Sequence, residues 1–279
     1  MTMPIADPSI MPSILALETS GALLSVAVHH KGKIASLVSH EMTYGHAKAI
    51  VPTAQAALAQ ASCDFAMLTH IAAGTGPGSF TGIRVALSCA KGFCLAWGAV
   101  GIGVSGLQAL ASNAARQGHN EGAPMLITAD TRRGALYCQF FDAEGQAKGA
   151  IFEAEPAGLP ALRRTIEEEA SLYIGGFDDG QLGRIFAADG VRVIQPAQTV
   201  RLDAAMIAND ANRHIVSGTL MPLTPLYLAA AKLGPKKAEK PNKDLAKTDG
   251  PEKDEPEKDE PEKDEPETNK TKVIPAAHG

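Results

Sequence analysis

Four glycines fall within nine positions in Gly74-Thr75-Gly76-Pro77-Gly78-Ser79-Phe80-Thr81-Gly82-Ile83-Arg84, between an apolar strand pattern and an apolar helix pattern. A glycine-rich turn from strand to helix can aim backbone N–H groups at an anion, with the helix dipole adding to the attraction. It can equally supply positive φ and let the helix lie close on a sheet. Two phosphate motifs fail here. No lysine follows until Lys91, so a Walker A loop lacks its side chain. Ser79 stands where a dinucleotide fingerprint needs its third glycine, so that motif fails as well.

Two further polar positions suit a site. Glu18 closes the apolar run Ser13 to Leu17, just before Thr19 and Ser20. It could hold a magnesium-bound water or a substrate hydroxyl, and reads equally as a strand-end carboxylate in solvent. His46 stands near the start of a helical pattern, where it could meet a ligand or a partner.

The elements that position these residues follow from periodicity. Ser13 to Ser20, Leu23 to His30 and Ile34 to Ser39 read as a three-stranded meander, with a tight turn at Lys31-Gly32-Lys33. Tyr44 to Ala61 reads as a helix that is kinked at Pro52 or begins near Val51. His70 to Ala73 reads as a buried strand. The apolar helix Phe80 to Trp97 follows, with Ser79 or Thr81 as N-cap, and must be covered on more than one side. Val100 to Val104 is a strand and Ser105 to Gln117 a helix. Met125 to Ala129 and Ala135 to Phe141 form a hairpin around Asp130-Thr131-Arg132-Arg133-Gly134, whose arginines could touch phosphate or RNA. Helix (Leu159 to Ala170), strand (Leu172 to Gly175), short helix (to Ala187), strand (Val191 to Ile194) and helix (Asp203 to Ser217) then alternate, as in an α/β lobe.

Composition narrows the function classes. Residues 236 to 272 hold ten Lys against thirteen Asp or Glu, with Pro-Glu-Lys-Asp-Glu three times from Pro251 to Glu265. So little apolar material cannot offset the entropy of ordering, and the stretch is expected to be disordered. It accounts for three of the five net negative charges. A chain so near neutral has no global field for nucleic acid. Cys63, Cys89, Cys94 and Cys138 form no CxxC pair and read as small core residues. No Lys or Arg precedes Lys31, and the longest apolar run is broken by Lys91 and glycines. The expectation is a soluble, cytoplasmic protein with no membrane span.

Taken together, Ile14-Leu15-Ala16-Leu17-Glu18-Thr19-Ser20, His46 and its helix, Gly76-Pro77-Gly78-Ser79-Phe80-Thr81-Gly82-Ile83-Arg84, the Asp130-Thr131-Arg132 turn and Pro225-Leu226-Tyr227-Leu228 resemble the bacterial TsaB (YeaZ) family over about residues 13 to 233. The resemblance implies an actin-like ATPase (Hsp70-like, ASKHA) fold with two related α/β lobes and a disordered C-terminal tail. Its expected divisions are 13–105 (a partner-binding N-terminal lobe), 106–217 (C-terminal lobe), 218–234 (a terminal segment that could return to the first lobe) and 235–279 (tail). It implies an accessory role in making the threonylcarbamoyl group of N6-threonylcarbamoyladenosine at adenosine 37 of tRNAs reading ANN codons. The implied partners are a TsaD-type catalytic subunit, a TsaE-type ATPase and, through them, tRNA, with a homodimer when TsaD is absent. The site residues carried over are His46, Gly76, Gly78, Ser79, Phe80, Thr81, Gly82 and Arg84 for partner or nucleotide, and Glu18 and Ser20 for nucleotide or magnesium. No cofactor is intrinsic, and ATP or ADP with magnesium belongs to the complex interface. Catalytic relatives carry two metal-binding histidines at positions matching Gly106 and Leu110, so no catalytic or metal residue is expected in this chain. It departs from the family pattern at Glu18, where Asp is common, and at Ala229, where Arg is common. The alternative reading is a small-molecule kinase or ATPase of the same superfamily.

Overall fold

The computed structural model describes residues 11–163, 170–177, 180–196, 199–226, 228 and 272–273. The meander comprises β1 (Ile14–Glu18), β2 (Leu23–His30) and β3 (Lys33–Glu41), each antiparallel to its neighbour. Lys31 and Gly32 both have positive φ, the conformation that lets a two-residue hairpin turn follow the twist of its strands. Then come α1 (His46–Gln60), β4 (His70–Gly74), α2 (Phe80–Trp97), β5 (Val100–Val104) and α3 (Gly106–Gln117). β4 pairs parallel to β1 and β5 parallel to β4, giving the order β3-β2-β1-β4-β5.

The same plan then repeats. β6 (Met125–Asp130), β7 (Leu136–Phe141) and β8 (Phe152–Ala154) form an antiparallel meander. α4 (Leu159–Arg163), β9 (Ser171–Gly176), α5 (Gln181–Ala188), β10 (Arg192–Ile194) and α6 (Ala204–Ser217) follow, with β9 parallel to β6 and β10 parallel to β9. The second sheet reads β10-β9-β6-β7-β8, the first lobe's order strand for strand. This is a doubled α/β plan, as the resemblance implies.

Packing arranges the elements in layers. Ile50, Ala54, Ala57 and Leu58 of α1 and Ile83, Ala86, Leu87 and Ala90 of α2 cover one face of the first sheet. On its other face Ile14, Ala16, Ala72 and Ile102 meet Ala204, Ile207, Ala208 and Ala211 of α6. α3 instead lays Leu107, Leu110, Ala111 and Ala114 on Met125, Ile127 and Phe141 of the second sheet. The third helix of each repeat therefore covers the other repeat's sheet. This corrects the expected division of 106–217 as one lobe: α6 packs with the first sheet, because its small apolar stripe fits the face that α1 and α2 leave open. Outside the second sheet, Leu182 and Phe186 of α5 join Leu126, Phe140 and Ile174.

Several local expectations are refined. α1 starts at His46 behind Gly45 and runs through Pro52, so a start near Val51 is not found. Pro52 is exposed, which leaves the missing ladder bond on the solvent side. β8 is an addition that three residues of period-two pattern are too short to announce. The expected helix Leu159 to Ala170 is described only as far as Arg163, and 164–169 lie outside the described residues. From the expected tail, Lys272–Val273 form a short strand, β11, antiparallel to Ser39 and Val38 at the edge of β3; the rest of 235–279 lies outside the described residues. Among the described residues no helix is long and apolar enough to cross a membrane.

Candidate functional site

The glycine-rich turn connects β4 to α2 and is closed by its own chain. Ser79 N–H donates to the Ser20 carbonyl at 2.7 Å. The Ser79 hydroxyl accepts from Gly82 N–H at 3.2 Å and so caps α2. Thr19 Oγ1 donates to the Gly82 carbonyl at 2.7 Å. Gly106 N–H donates to the Gly76 carbonyl at 2.9 Å, which ties the turn to the start of α3. A Cβ on Gly82 would lie 2.0 Å from the Thr19 carbonyl oxygen, and one on Gly78 would lie 2.7 Å from that of Ser20. These glycines let the β1–β2 turn touch the start of α2, the second of the two uses that the sequence allows them.

Glu18 is part of the same junction. It is 2% exposed, so the solvent-facing alternative for its carboxylate is corrected. Oε1 accepts from Ser20 N–H at 2.5 Å. Oε2 is buried with no hydrogen-bond partner within the described residues and lies over Gly74, where a Cβ would come within 1.9 Å of it. Burial pushes the Glu18 pKa up, and the negative charge of Asp203 pushes the same way. The side chain is turned into the packing over Gly74. Among the described residues no three His, Cys, Asp or Glu side chains are grouped to hold a metal ion.

The other expected site residues lie elsewhere. Phe80, Thr81 and Arg84 line an apolar groove of about 560 Å³ between α1 and α2, together with Ile50, Val51, Val85 and Cys89. The Arg84 guanidinium carbon sits 3.7 Å from the centre of the Phe80 ring, within cation–π range. Phe80 is 47% exposed and Val51 41%. α2 buries one stripe, so the expectation that it is covered on more than one side is corrected within this chain: its other side is open, with Leu95 and Trp97 exposed. His46 occupies the first position of α1, next to the lining residue Ala47 but not itself in the lining, with Nε2 buried and unpartnered within the described residues. Burial pushes its pKa down, which favours the neutral ring.

The cysteines are free. Burial pushes the Cys138 thiol up to about 12 and the Cys89 thiol up to about 11, far from thiolate chemistry.

With this geometry in place, comparison with known proteins is informative. The family model described as TsaD, tRNA N6-adenosine threonylcarbamoyltransferase, matches residues 37–154. The tRNA threonylcarbamoyladenosine biosynthesis protein TsaB of Escherichia coli (strain K12) is 33% identical over 127 residues, covering 44% of this chain and 52% of that protein. The protein of the same name from Bacillus subtilis (strain 168) is 32% identical over 143 residues, covering 50% and 58%. YeaZ from Pseudomonas aeruginosa superposes with a TM-score of 0.64 at 25% identity, over 78% of this chain and 100% of that one. The chain is similar to TsaB and YeaZ proteins. It spans about half the length of the E. coli TsaB that it matches.

Within this chain, the positions that the resemblance matches to metal histidines are built into packing. Gly106 lies against Leu202, and Leu110 belongs to the second-sheet core. The segment after α6 runs along the first lobe. Gly103 N–H donates to the Met221 carbonyl at 2.8 Å, Leu223 is buried with α1 and α2, and Leu226 N–H donates to the Thr75 carbonyl at 3.0 Å. Tyr227 and Ala229 lie outside the described residues. The resemblance pointed to both helices for the partner contact, but Ile50 and Val51 on the α1 side of the groove were not named from sequence, although an apolar Val51 one place before Pro52 was a readable signal.

Proposed function

We propose that this chain is a non-catalytic accessory subunit for threonylcarbamoylation of adenosine 37 in tRNAs reading ANN codons. In this reading the open α1/α2 groove binds a TsaD-type catalytic subunit. One observation carries it: an apolar groove of about 560 Å³, with exposed Val51 and Phe80, on the solvent side of helices whose other faces are fully engaged with the sheet. A monomer that leaves such a surface open has use for a partner there. The same face would serve a homodimer when TsaD is absent. Closure of the glycine turn by Thr19 and Ser20 argues against a nucleotide held by this chain alone, so ATP or ADP with magnesium is assigned to the assembled complex, which a TsaE-type ATPase joins. tRNA is reached through the complex.

The test is to mix the purified chain with the TsaD of its own organism and follow the pair by size-exclusion chromatography. A co-eluting complex is expected, and separate elution at micromolar concentration overturns the docking role. Depletion of the gene product, with tRNA nucleosides read by mass spectrometry, should remove the modification. Calorimetry of the isolated chain with magnesium-ATP separates the alternative kinase or ATPase reading, which micromolar binding with turnover would favour.

A further inference from the structure

A second cleft, of about 680 Å³, opens between α3 and α6 on the opposite face of the first sheet from the α1/α2 groove. Both lobes contribute to it. His29 and Gly32 come from the β2–β3 hairpin, and Ala143 and Glu144 from the turn after β7. Its floor is Asp210, a carboxylate on α6 that is 1% exposed. Oδ1 accepts from the Ser112 hydroxyl at 2.9 Å and pairs with Arg213 at 2.8 Å. Ser112 in turn accepts from Gln108 Nε2 at 3.1 Å, and that same nitrogen donates to the Gly145 carbonyl at 2.7 Å. The network ties α3, α6 and the second lobe together and fixes the walls before any ligand arrives.

Two buried polar atoms in this lining are left over. Asp210 Oδ2 has no hydrogen-bond partner within the described residues, with His214 Nε2 as an ion-pair neighbour at 3.4 Å. His29 is 2% exposed, and its Nδ1 has no hydrogen-bond partner within the described residues. A buried polar group without a hydrogen bond is destabilising, His29 Nδ1 more so than Asp210 Oδ2 with His214 beside it. Two in one cleft point to a ligand that completes them.

The lining indicates what kind of ligand. Asn209 and Asn212 bring carboxamides, each with a donor and an acceptor side by side, and Asn113 brings a third whose oxygen accepts from Arg116 at 2.9 Å. Ala109, Ala115 and Met206 add an apolar wall. The charges balance: Arg116 and Arg213 against Asp210 and Glu144, with Arg213 engaged by Asp210, and no lysine among the described lining residues. A phosphate would meet one guanidinium that has no carboxylate contact, beside two acids, so the charge count favours a neutral ligand. Carboxamides that match a base edge, a carboxylate that accepts from an amino or hydroxyl group, and an apolar wall for a ring face together suit a purine nucleoside. We propose that the α3/α6 cleft is a binding site for an uncharged purine nucleoside, separate from the partner groove.

Adenosine is the probe. The full chain, ¹⁵N-labelled and without TsaD, is titrated with adenosine, with AMP and L-alanine in parallel. Adenosine should move the amides of Ser112, Asn113 and Asn209, and AMP should bind several-fold more weakly. Asn209→Ala and, separately, Asn212→Ala should each weaken adenosine about tenfold, the equivalent of one lost hydrogen bond, with the rest of the spectrum unchanged. The proposal is overturned if adenosine moves no amides up to its solubility limit, or moves those of Glu18 to Ser20 and Asp130 to Arg133 instead. It is equally overturned if AMP or L-alanine binds as tightly as adenosine, or if both Asn variants bind like wild type.

Discussion

The two lobes share one strand order and differ in what lies outside it. In the first, α1 and α2 have 15 and 18 residues and β3 has nine; in the second, α5 has eight residues, and β8 and β10 have three each. α5 turns Leu182 and Phe186 into the core and leaves its third large apolar residue, Ile185, partly buried. α2 buries Ile83, Ala86, Leu87 and Ala90, and still exposes Phe80, Leu95 and Trp97. One topology therefore supports a self-sufficient outer face on one side and an unfinished one on the other. The excess apolar length of α2 does nothing for its own sheet, which is the physical reason to look there for a partner. The inner faces obey a different logic, because α3 and α6 each cross to the other lobe's sheet and make the two repeats interdependent.

The largest contrast is expected at equivalent glycines, the third residue of α2 and of α5. Gly82→Ala would put its Cβ 2.0 Å from the Thr19 carbonyl oxygen, a backbone atom held by the sheet. We expect a loss of about 3 kcal/mol or more, as for other cases of forced overpacking. The Cβ of Gly183→Ala would approach the Gln195 side-chain oxygen at 3.0 Å, the far end of a flexible side chain. Its helix propensity gain, up to about 1 kcal/mol, leaves that variant near neutral. Urea denaturation of both variants decides the matter, and equal losses would mean that the β4–α2 junction is no tighter than its counterpart.

Next in size is the contrast between the outer faces. Val51→Glu places a charge in the α1/α2 groove and should weaken the TsaD complex about 100-fold, the scale of removing a central anchor side chain from an interface. Ala187→Glu, on the exposed side of α5, should change it less than about twofold. Both are read by calorimetric titration of TsaD, with circular dichroism to verify folding. Similar losses at both positions would remove the distinction between a finished and an unfinished face.

The strand order of both lobes was legible because buried β-runs and capped helices carry strong local patterns. Ser79, one of two expected caps, Ser105 and Asp203 each cap a helix, accepting from the backbone N–H three residues on. The glycine turn was legible as a close-packing device, though its contacts with Thr19 and Ser20 join residues some sixty positions apart, and no local pattern records that. The swap of α3 and α6 was equally hidden. A stripe of alanines fits either sheet, and the choice depends on which face the outer helices leave uncovered. Asp210 sits among Ile207, Ala211 and His214 at helical spacing, so a buried carboxylate on that face was a readable sign of the second cleft. Glu18 was read as a candidate ligand or a solvated end. Its carboxylate is not solvated, because its destination is set by the missing side chain of Gly74 on the neighbouring strand.

The smallest contrast concerns the carboxylates that end equivalent strands, Glu18 on β1 and Asp130 on β6. Asp130 is partly exposed and accepts from Arg132 N–H at 2.6 Å, a bond that Asn can also accept. Asp130→Asn should therefore alter stability at pH 8 by no more than about 0.5 kcal/mol. Glu18 differs because burial, helped by the charge of Asp203, raises its folded pKa above the ordinary 4.5. Its contribution to stability is thus fully present below that value and is lost as pH rises through the folded pKa. Glu18→Gln keeps an oxygen for Ser20 N–H and carries no charge to desolvate. The variant should gain on wild type as pH increases from 4 to 8, a difference read from urea midpoints at the two ends. If the gain is absent or reversed, ionised Glu18 is held by an interaction that Asp130 lacks, and the first-lobe strand end would have to be reconsidered as a charged site.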